Sequence, residues 1–165
     1  MLLTMVGLLA LLPLQLSAQD YSAAAMTYFQ NNAEKYGVAR QDMSHLLVTD
    51  VTPSEGGALQ HVYLRQSIDG IGIYGAEMSV TFAQNGKAVS EWCQAVKGAK
   101  AKANSKVPSL NQLQAIDAAV SHLAVAPAKG VTELHDLGTA DLAKRYAGGN
   151  LSQEDIPVRL VYFQA

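Results

Sequence analysis

One cysteine, Cys93, is all the chain of 165 residues contains, so no disulfide can form within it and stability must come from an apolar core. Basic charge is also scarce. Lys and Arg number 12 against 14 Asp and Glu, a net charge of -2, so nothing favours nucleic acid as a partner, since phosphate binding needs clustered basic charge. No apolar run reaches the roughly 20 residues of a bilayer-spanning helix, so no permanent membrane span is expected. Catalytic motifs are missing too. The four histidines, His45, His61, His122 and His135, include no His-Glu-x-x-His pair, and their spread over a loop, a strand edge, a helix and a turn predicts unrelated roles. There is no Gly-x-Ser-x-Gly elbow, and Gly70-Ile71-Gly72 lacks the strand-to-helix setting of a nucleotide loop. Cys93 follows Trp92 in a predicted strand and reads as a small packing residue. Glu133, Asp136 and Asp141 read as a solvated acidic face rather than as calcium ligands. The chain is therefore not expected to be an enzyme, and no cofactor is expected in it.

What is there begins with an export signal. Residues Leu2 to Leu16 are almost all apolar, and Leu16-Ser17-Ala18 supplies small residues before Gln19-Asp20. Residues 1–18 are read as a signal peptide cut between Ala18 and Gln19, placing the protein in the periplasm or outside the cell. No Lys or Arg precedes the apolar run, and the first charged residue is Asp20.

Asp20 to Tyr36 predicts a helix, with Asp20 as N-cap and Gly37 at the left-handed C′ position. Val38 to Ser44 is a turn in which Asp42 serves as a local cap, and Leu46 to Val51 has strand character. After the breaker Thr52-Pro53-Ser54-Glu55-Gly56-Gly57 come three antiparallel strands, Ala58 to Ser67, Ile71 to Gln84 and Lys87 to Val96. Asp69-Gly70 and Asn85-Gly86 join them as tight hairpin turns, which makes a meander. In the middle strand the apolar phase moves from Ile71 and Ile73 to Tyr74, Ala76, Met78, Val80 and Phe82. A period of two survives that shift only through a bulge at Gly72 or Gly75, and the even-numbered set is expected to face the core under the first helix.

Residues 98–108 read as a linker, with Lys97, Lys100, Lys102 and Lys106 spread among Ala, Gly and Ser as a solvated, flexible segment. Ser109 then opens a capping box with Gln112, and Leu110, Leu113, Ile116, Val120 and Leu123 recur at helical spacing. Ala128 to Asn150 is turn-rich, Gly148-Gly149-Asn150 is a break, and Val158 to Phe163 is a strand with Pro157 at its start. One helix with so little sheet leaves an apolar face uncovered, so the sequence is expected to end before its fold does. The fold class is α+β: a helix on an antiparallel meander over 19–97, then an incomplete helix-plus-strand unit over 109–165.

His61, Val62, Tyr63, Leu64 and Gln66, followed by Gly70, Ile71, Ile73, Tyr74, Gly75 and Ala76, resemble the propeptide module of secreted zinc metallopeptidases of the fungalysin and thermolysin type. Arg65 is a common variant, and Gly72 stands where Glu or Pro is frequent. Ser109 to Phe163 resembles the start of a PepSY-like unit, ending in the Ile156-Pro157-Val158 and Leu160-Val161-Tyr162 strand. Together with the export signal this resembles the bacterial fungalysin-type peptidases. The resemblance implies a cystatin-like fold and a pro-region that serves as intramolecular chaperone and inhibitor. Its partner is the cognate catalytic domain in cis, where the zinc also resides. The motif residues are expected to be mainly structural, with Val62, Leu64 and Tyr74 in the core. A free-standing exported protease inhibitor or binding module is the alternative.

Overall fold

The computed structural model describes residues 20–163. The expected signal peptide and its cleavage point at Ala18 and Gln19 lie outside the described residues. Among the described residues, no helix is long and apolar enough to cross a membrane.

The fold is α+β, with a helix on a four-stranded antiparallel meander followed by a helix and a smaller three-stranded sheet. Helix α1 spans Tyr21–Asn31, and the Asp20 carboxylate caps it by accepting from the backbone N–H groups of Ser22 and Ala23. The α-helix stops earlier than the sequence predicts. Asn32 leaves helical geometry, and Ala33–Tyr36 tightens into a 3₁₀ turn that ends at Gly37 with φ 73°. A second 3₁₀ turn, Arg40–Met43, is closed by Asp42, whose carboxylate accepts from the Ala39 N–H at 3.1 Å.

Strands β1 (Leu46–Pro53), β2 (Leu59–Ile68), β3 (Ile71–Ala83) and β4 (Ala88–Cys93) lie side by side in chain order. At the β2–β3 turn both Asp69 (φ 52°) and Gly70 (φ 86°) are left-handed, as a two-residue type I′ loop requires. The expected bulge in β3 is wide. Arg65 faces Glu77 and Ser67 faces Gly72, which leaves Gln66 alone opposite the four residues 73–76, with Gly75 at φ 83°. This detour lets Ile71 and Ile73 be buried on one side of it and Ala76, Met78, Val80 and Phe82 on the other. It also overturns one expectation: Tyr74 is 60% exposed, because the bulge resets the strand's parity and turns its ring outward.

The main core joins Ala25 and Phe29 of α1, Met43, Val62, Leu64, Met78, Val80 and Phe82. Tyr28 meets Phe29 and Phe82 edge-on, at ring separations of 5.5 and 6.4 Å. Cys93 is half-buried against this core, and burial pushes its thiol pKa up, away from the reactive thiolate.

The connecting segment is not simply solvated chain. Ala99–Lys102 forms a short helical turn, α2, that buries Ala99 against Ile68, Ile73 and Ala76. Helix α3 spans Gln112–His122, and its capping box is formed by Asn111 and Gln114, two residues later than the predicted pair of Ser109 and Gln112. Asn caps as well as Ser does, so Ser109-Leu110-Asn111-Gln112-Leu113-Gln114 contains two competing boxes. Ile116 and Val120 are buried, whereas Leu110, Leu113 and Leu123 are exposed, so the predicted apolar stripe is covered only at its centre.

That cover comes from strands in a stretch whose composition predicts only turns. The turn-rich stretch holds β5 (Glu133–Asp136) and β6 (Lys144–Tyr146), which pair with each other and then with β7 (Ile156–Val158). His135 therefore lies in a strand and not in a turn. Tyr146 packs on Ile116 and Val120 to make a small separate core. The predicted strand 158–163 is also displaced: Pro157 sits inside β7, regular pairing stops at Val158, and Tyr162 makes an isolated parallel bridge to Ile73.

Candidate interaction surface

Strand register divides the large sheet into two faces. Residues paired across antiparallel strands point to the same side, so the rows through Val62 and Leu64 face α1 while the alternate rows face away. On the open face Asp50, Tyr63, Ser79 and Trp92 form one row, with Leu47, Arg65 and Glu77 above it and Thr52, His61, Thr81 and Ser90 below. Tyr63 and Trp92 stand on either side of Ser79, 45% and 49% exposed. With Thr49, Asp50 and Glu77 they border a shallow cavity of about 400 Å³.

Polar pairs fix this face. Arg65 Nε donates to Glu77 Oε1 at 3.1 Å, directly across the strands, and His61 Nδ1 lies 3.0 Å from Thr81 Oγ1. A Cβ at Gly72 would lie 2.9 Å from Arg65 Cδ, so the missing side chain makes room for the arginine stem. The face thus presents two aromatic rings framed by a fixed ion pair and hydroxyl groups.

The predicted motif residues divide by position. Val62, Leu64, Ile71, Ile73 and Ala76 are buried, Gly70 and Gly75 supply positive φ, and Tyr63 and Tyr74 point into solvent. Gln66 is the exception among the polar ones, being 1% exposed. Its Nε2 donates to the carbonyls of Asp42 and Val96 at 2.9 and 3.0 Å, and its Oε1 accepts from the Val96 N–H at 2.7 Å. This side chain fills the space opened by the β3 detour and ties the Arg40–Met43 turn to the chain leaving β4. Asp42 closes the same loop by accepting from the Gly98 N–H at 3.1 Å.

At the β2–β3 tip, Asp69 pairs with Lys106 and, at 3.9 Å, with Lys100. The Lys106 ammonium beside it lowers the Asp69 pKa, and Asp69 in turn raises that of Lys106. Two lysines of the expected free linker are therefore drawn onto the hairpin. Lys35 and Glu91 make a similar exposed pair at the rim of α1 and β4, where the lysine lowers the Glu91 pKa. Glu133 and Asp136 both pair with Lys144, at 3.0 and 3.1 Å, so these acids brace β5 against β6.

Strand, turn and open face together coincide with a known module. Residues 44–90 match the Fungalysin/Thermolysin Propeptide Motif. The match runs from the residue before His45 to the middle of β4 and covers less than a third of the chain. No curated protein matches the chain. The propeptide motif thus contains all eleven residues singled out in the sequence, the Asp69-Gly70 turn and most of the open face. It leaves out α1, Trp92 and the whole of 98–163. Trp92, Glu77 and Ser79 were not singled out as surface residues, since their exposure follows only from the register of β3 and β4.

Among the described residues no three His, Cys, Asp or Glu side chains come together where they would hold a metal ion. Asp50 turns inward on its own strand, accepting from the Val51 N–H and the Thr52 hydroxyl. What this arrangement offers is a rigid surface for contact.

Proposed function

We propose that this chain is the pro-region of an exported fungalysin- or thermolysin-type zinc metallopeptidase. In this reading residues 1–18 direct export and are removed between Ala18 and Gln19. Residues 19–97 form the propeptide domain, 98–108 connect, and 109–165 belong to a PepSY-like unit. The partner is the peptidase's catalytic domain, joined in cis, and the zinc belongs to that domain. The pro-region acts on it as folding template and inhibitor.

One observation carries the proposal: the propeptide motif at 44–90 falls on a preformed sheet with one face sealed by α1 and the other left open. A rigid sheet face can cover a protease cleft without losing conformational entropy of its own. Tethering in cis raises its effective concentration to about millimolar for a short linker, so weak contacts suffice. Tyr63 and Trp92 supply the aromatic anchors such a contact needs.

Adding the purified chain to the mature cognate peptidase tests the reading. Inhibition at micromolar concentration is expected, and its absence there defeats the inhibitory role. Replacing Trp92 by Ser should weaken inhibition about tenfold or more, as loss of an interface anchor does, while the domain stays folded and loses only about 1–2 kcal/mol, the ring being half exposed. Reading the gene beyond Ala165 separates the cis arrangement from a free-standing exported inhibitor. A downstream His-Glu-x-x-His segment supports the first, and a stop codon the second.

A further inference from the structure

Strand β4 accompanies β3 only part of its length. After Cys93 the last bond on that side is from the Gln94 N–H to the Glu77 carbonyl at 2.9 Å, and the chain then turns away to Gln66. The stretch of β3 before Ala76 would thus present a bare edge, a surface that recruits other strands. Here it is filled from within the chain. The Tyr162 N–H donates to the Gly72 carbonyl at 2.9 Å, and the Tyr74 N–H donates to the Tyr162 carbonyl at 2.8 Å, the paired bonds of a parallel bridge.

Side chains at this slot match the backbone geometry. Tyr162 packs on the buried cluster of Ile68, Ile73, Ala76 and Ala99, and the Phe163 ring lies 5.8 Å from that of Tyr74, both rings open to solvent. Beside the Tyr162 ring a cavity of about 440 Å³ remains between Val96, Ala103 and Phe163. The filling segment is held by little else. Regular pairing ends at Val158, and among the described residues the one further backbone tie before the bridge runs from the Leu160 N–H to the Asp141 carbonyl at 2.7 Å.

We propose that the β3 edge at Gly72 and Tyr74 is a strand-addition site for an extended peptide with a central aromatic residue, and that Val161, Tyr162 and Phe163 are its resident occupant in cis. Main-chain bonds give such a site its affinity, and the pocket for the alternate side chain gives it selectivity. The slot favours an aromatic ring because its floor is the aliphatic cluster of Ile68, Ile73, Ala76 and Ala99, with Lys102 and Asn104 at the cavity's border, and Tyr74 adds a second ring to stack the following residue. Occupancy closes the joint between the 20–97 and 109–163 parts, so exchange of the occupant opens it. The inference does not depend on the protease reading, since it rests on geometry that any ligand of this shape would meet.

The probe is a blocked five-residue peptide with the sequence of residues 159–163, titrated into full-length protein while the Tyr74 amide is followed by NMR. The unaltered chain should bind it poorly, because the cis segment competes at high effective concentration. Tyr162→Pro removes both the ring and the N–H donor, and this variant should take up the peptide at least tenfold more tightly. In the unaltered chain the Tyr74 amide should exchange with deuterium at least tenfold more slowly than in an unstructured peptide. Equal binding by both proteins, no binding by the variant at millimolar peptide, or an unprotected Tyr74 amide would each overturn the proposal. If Tyr162→Pro disturbs the large sheet, seen as fast exchange at Val62 and Leu64, Tyr162→Ala is judged by the same tenfold criterion.

Discussion

Strand β3 runs for thirteen residues and is paired on both sides, whereas β7 runs for three and β6 for the same. The two sheets differ in what holds them. The larger has a core of fully buried Phe29, Met43, Leu64 and Met78, each side chain contributing about 1.5–3 kcal/mol. The smaller gathers Ile116, Val120 and Tyr146, and supplements them with Lys144 reaching two carboxylates on β5. Exposed ion pairs add little, because solvent and salt screen them. Apolar burial therefore sets the stability of the first region, while the second has a smaller apolar core and leans on exposed ion pairs.

The largest test of this contrast compares truncations in the two cores. Phe29→Ala should cost about 3–5 kcal/mol, and Ile116→Ala only about 2 kcal/mol, because its site lies near the surface and can collapse. Urea unfolding, with amide exchange resolving the two regions, checks both. Equal losses would show that the smaller core is as tightly packed as the larger.

Next comes the clasp within the first region. Gln66→Leu leaves the Val96 N–H buried without a partner, along with the carbonyls of Asp42 and Val96, so a loss of about 2–3 kcal/mol is expected. Exchange should quicken first at Val96 and Gly98. A loss below about 1 kcal/mol would mean that water takes over these bonds.

Two glycines then separate strain from contact between the regions. At both Gly70 (φ 86°) and Gly75 (φ 83°) an alanine costs about 1–2 kcal/mol of backbone strain. At Gly75 nothing lies within 4 Å of the added Cβ, but at Gly70 it would come 2.8 Å from the Ala140 Cβ, between β5 and β6. Gly70→Ala should therefore quicken exchange in β5 and β6, and Gly75→Ala should not. Identical exchange patterns would remove Ala140 from the joint.

These contrasts also explain what the sequence made legible. Both hairpins were marked by Asp-Gly and Asn-Gly between apolar runs, and the phase change in β3 required a bulge, so the three-strand meander was legible in the sequence, while the pairing of β1 onto β2 was not. Tyr74 escaped because parity fails inside a bulge of four residues. Strands β5 and β6 escaped for another reason. Glu133-Leu134-His135-Asp136 is exposed throughout and has no inward-facing apolar set, so period two leaves no trace in its composition. The role of Tyr162 depends on Ile73, 89 residues earlier, and no local pattern encodes that. Of the candidate surface, Tyr63 was named as a motif residue, but its exposure beside Trp92 follows only from strand register.

The smallest effect concerns Asp69, the charge at the joint. Lys106 holds its carboxyl below the ordinary value of 3.8, so the folded state binds this proton more weakly than the unfolded chain does. A depressed carboxylate contributes its stability above the unfolded pKa and loses it as pH falls through the folded one, which places the loss below about pH 4. Both partners are exposed, so the contribution is small and fades as salt shortens the Debye length below about 10 Å. Asp69→Asn keeps a residue tolerant of positive φ and removes only the charge. The variant should lose the acid-dependent quickening of exchange at Tyr74 and Tyr162, with β1 and β2 unaffected. If the unaltered chain shows the same acid response in 0.5 M salt, the ion pair is not what titrates, and the joint rests on the Tyr162 bridge and the Gly70–Ala140 contact without it.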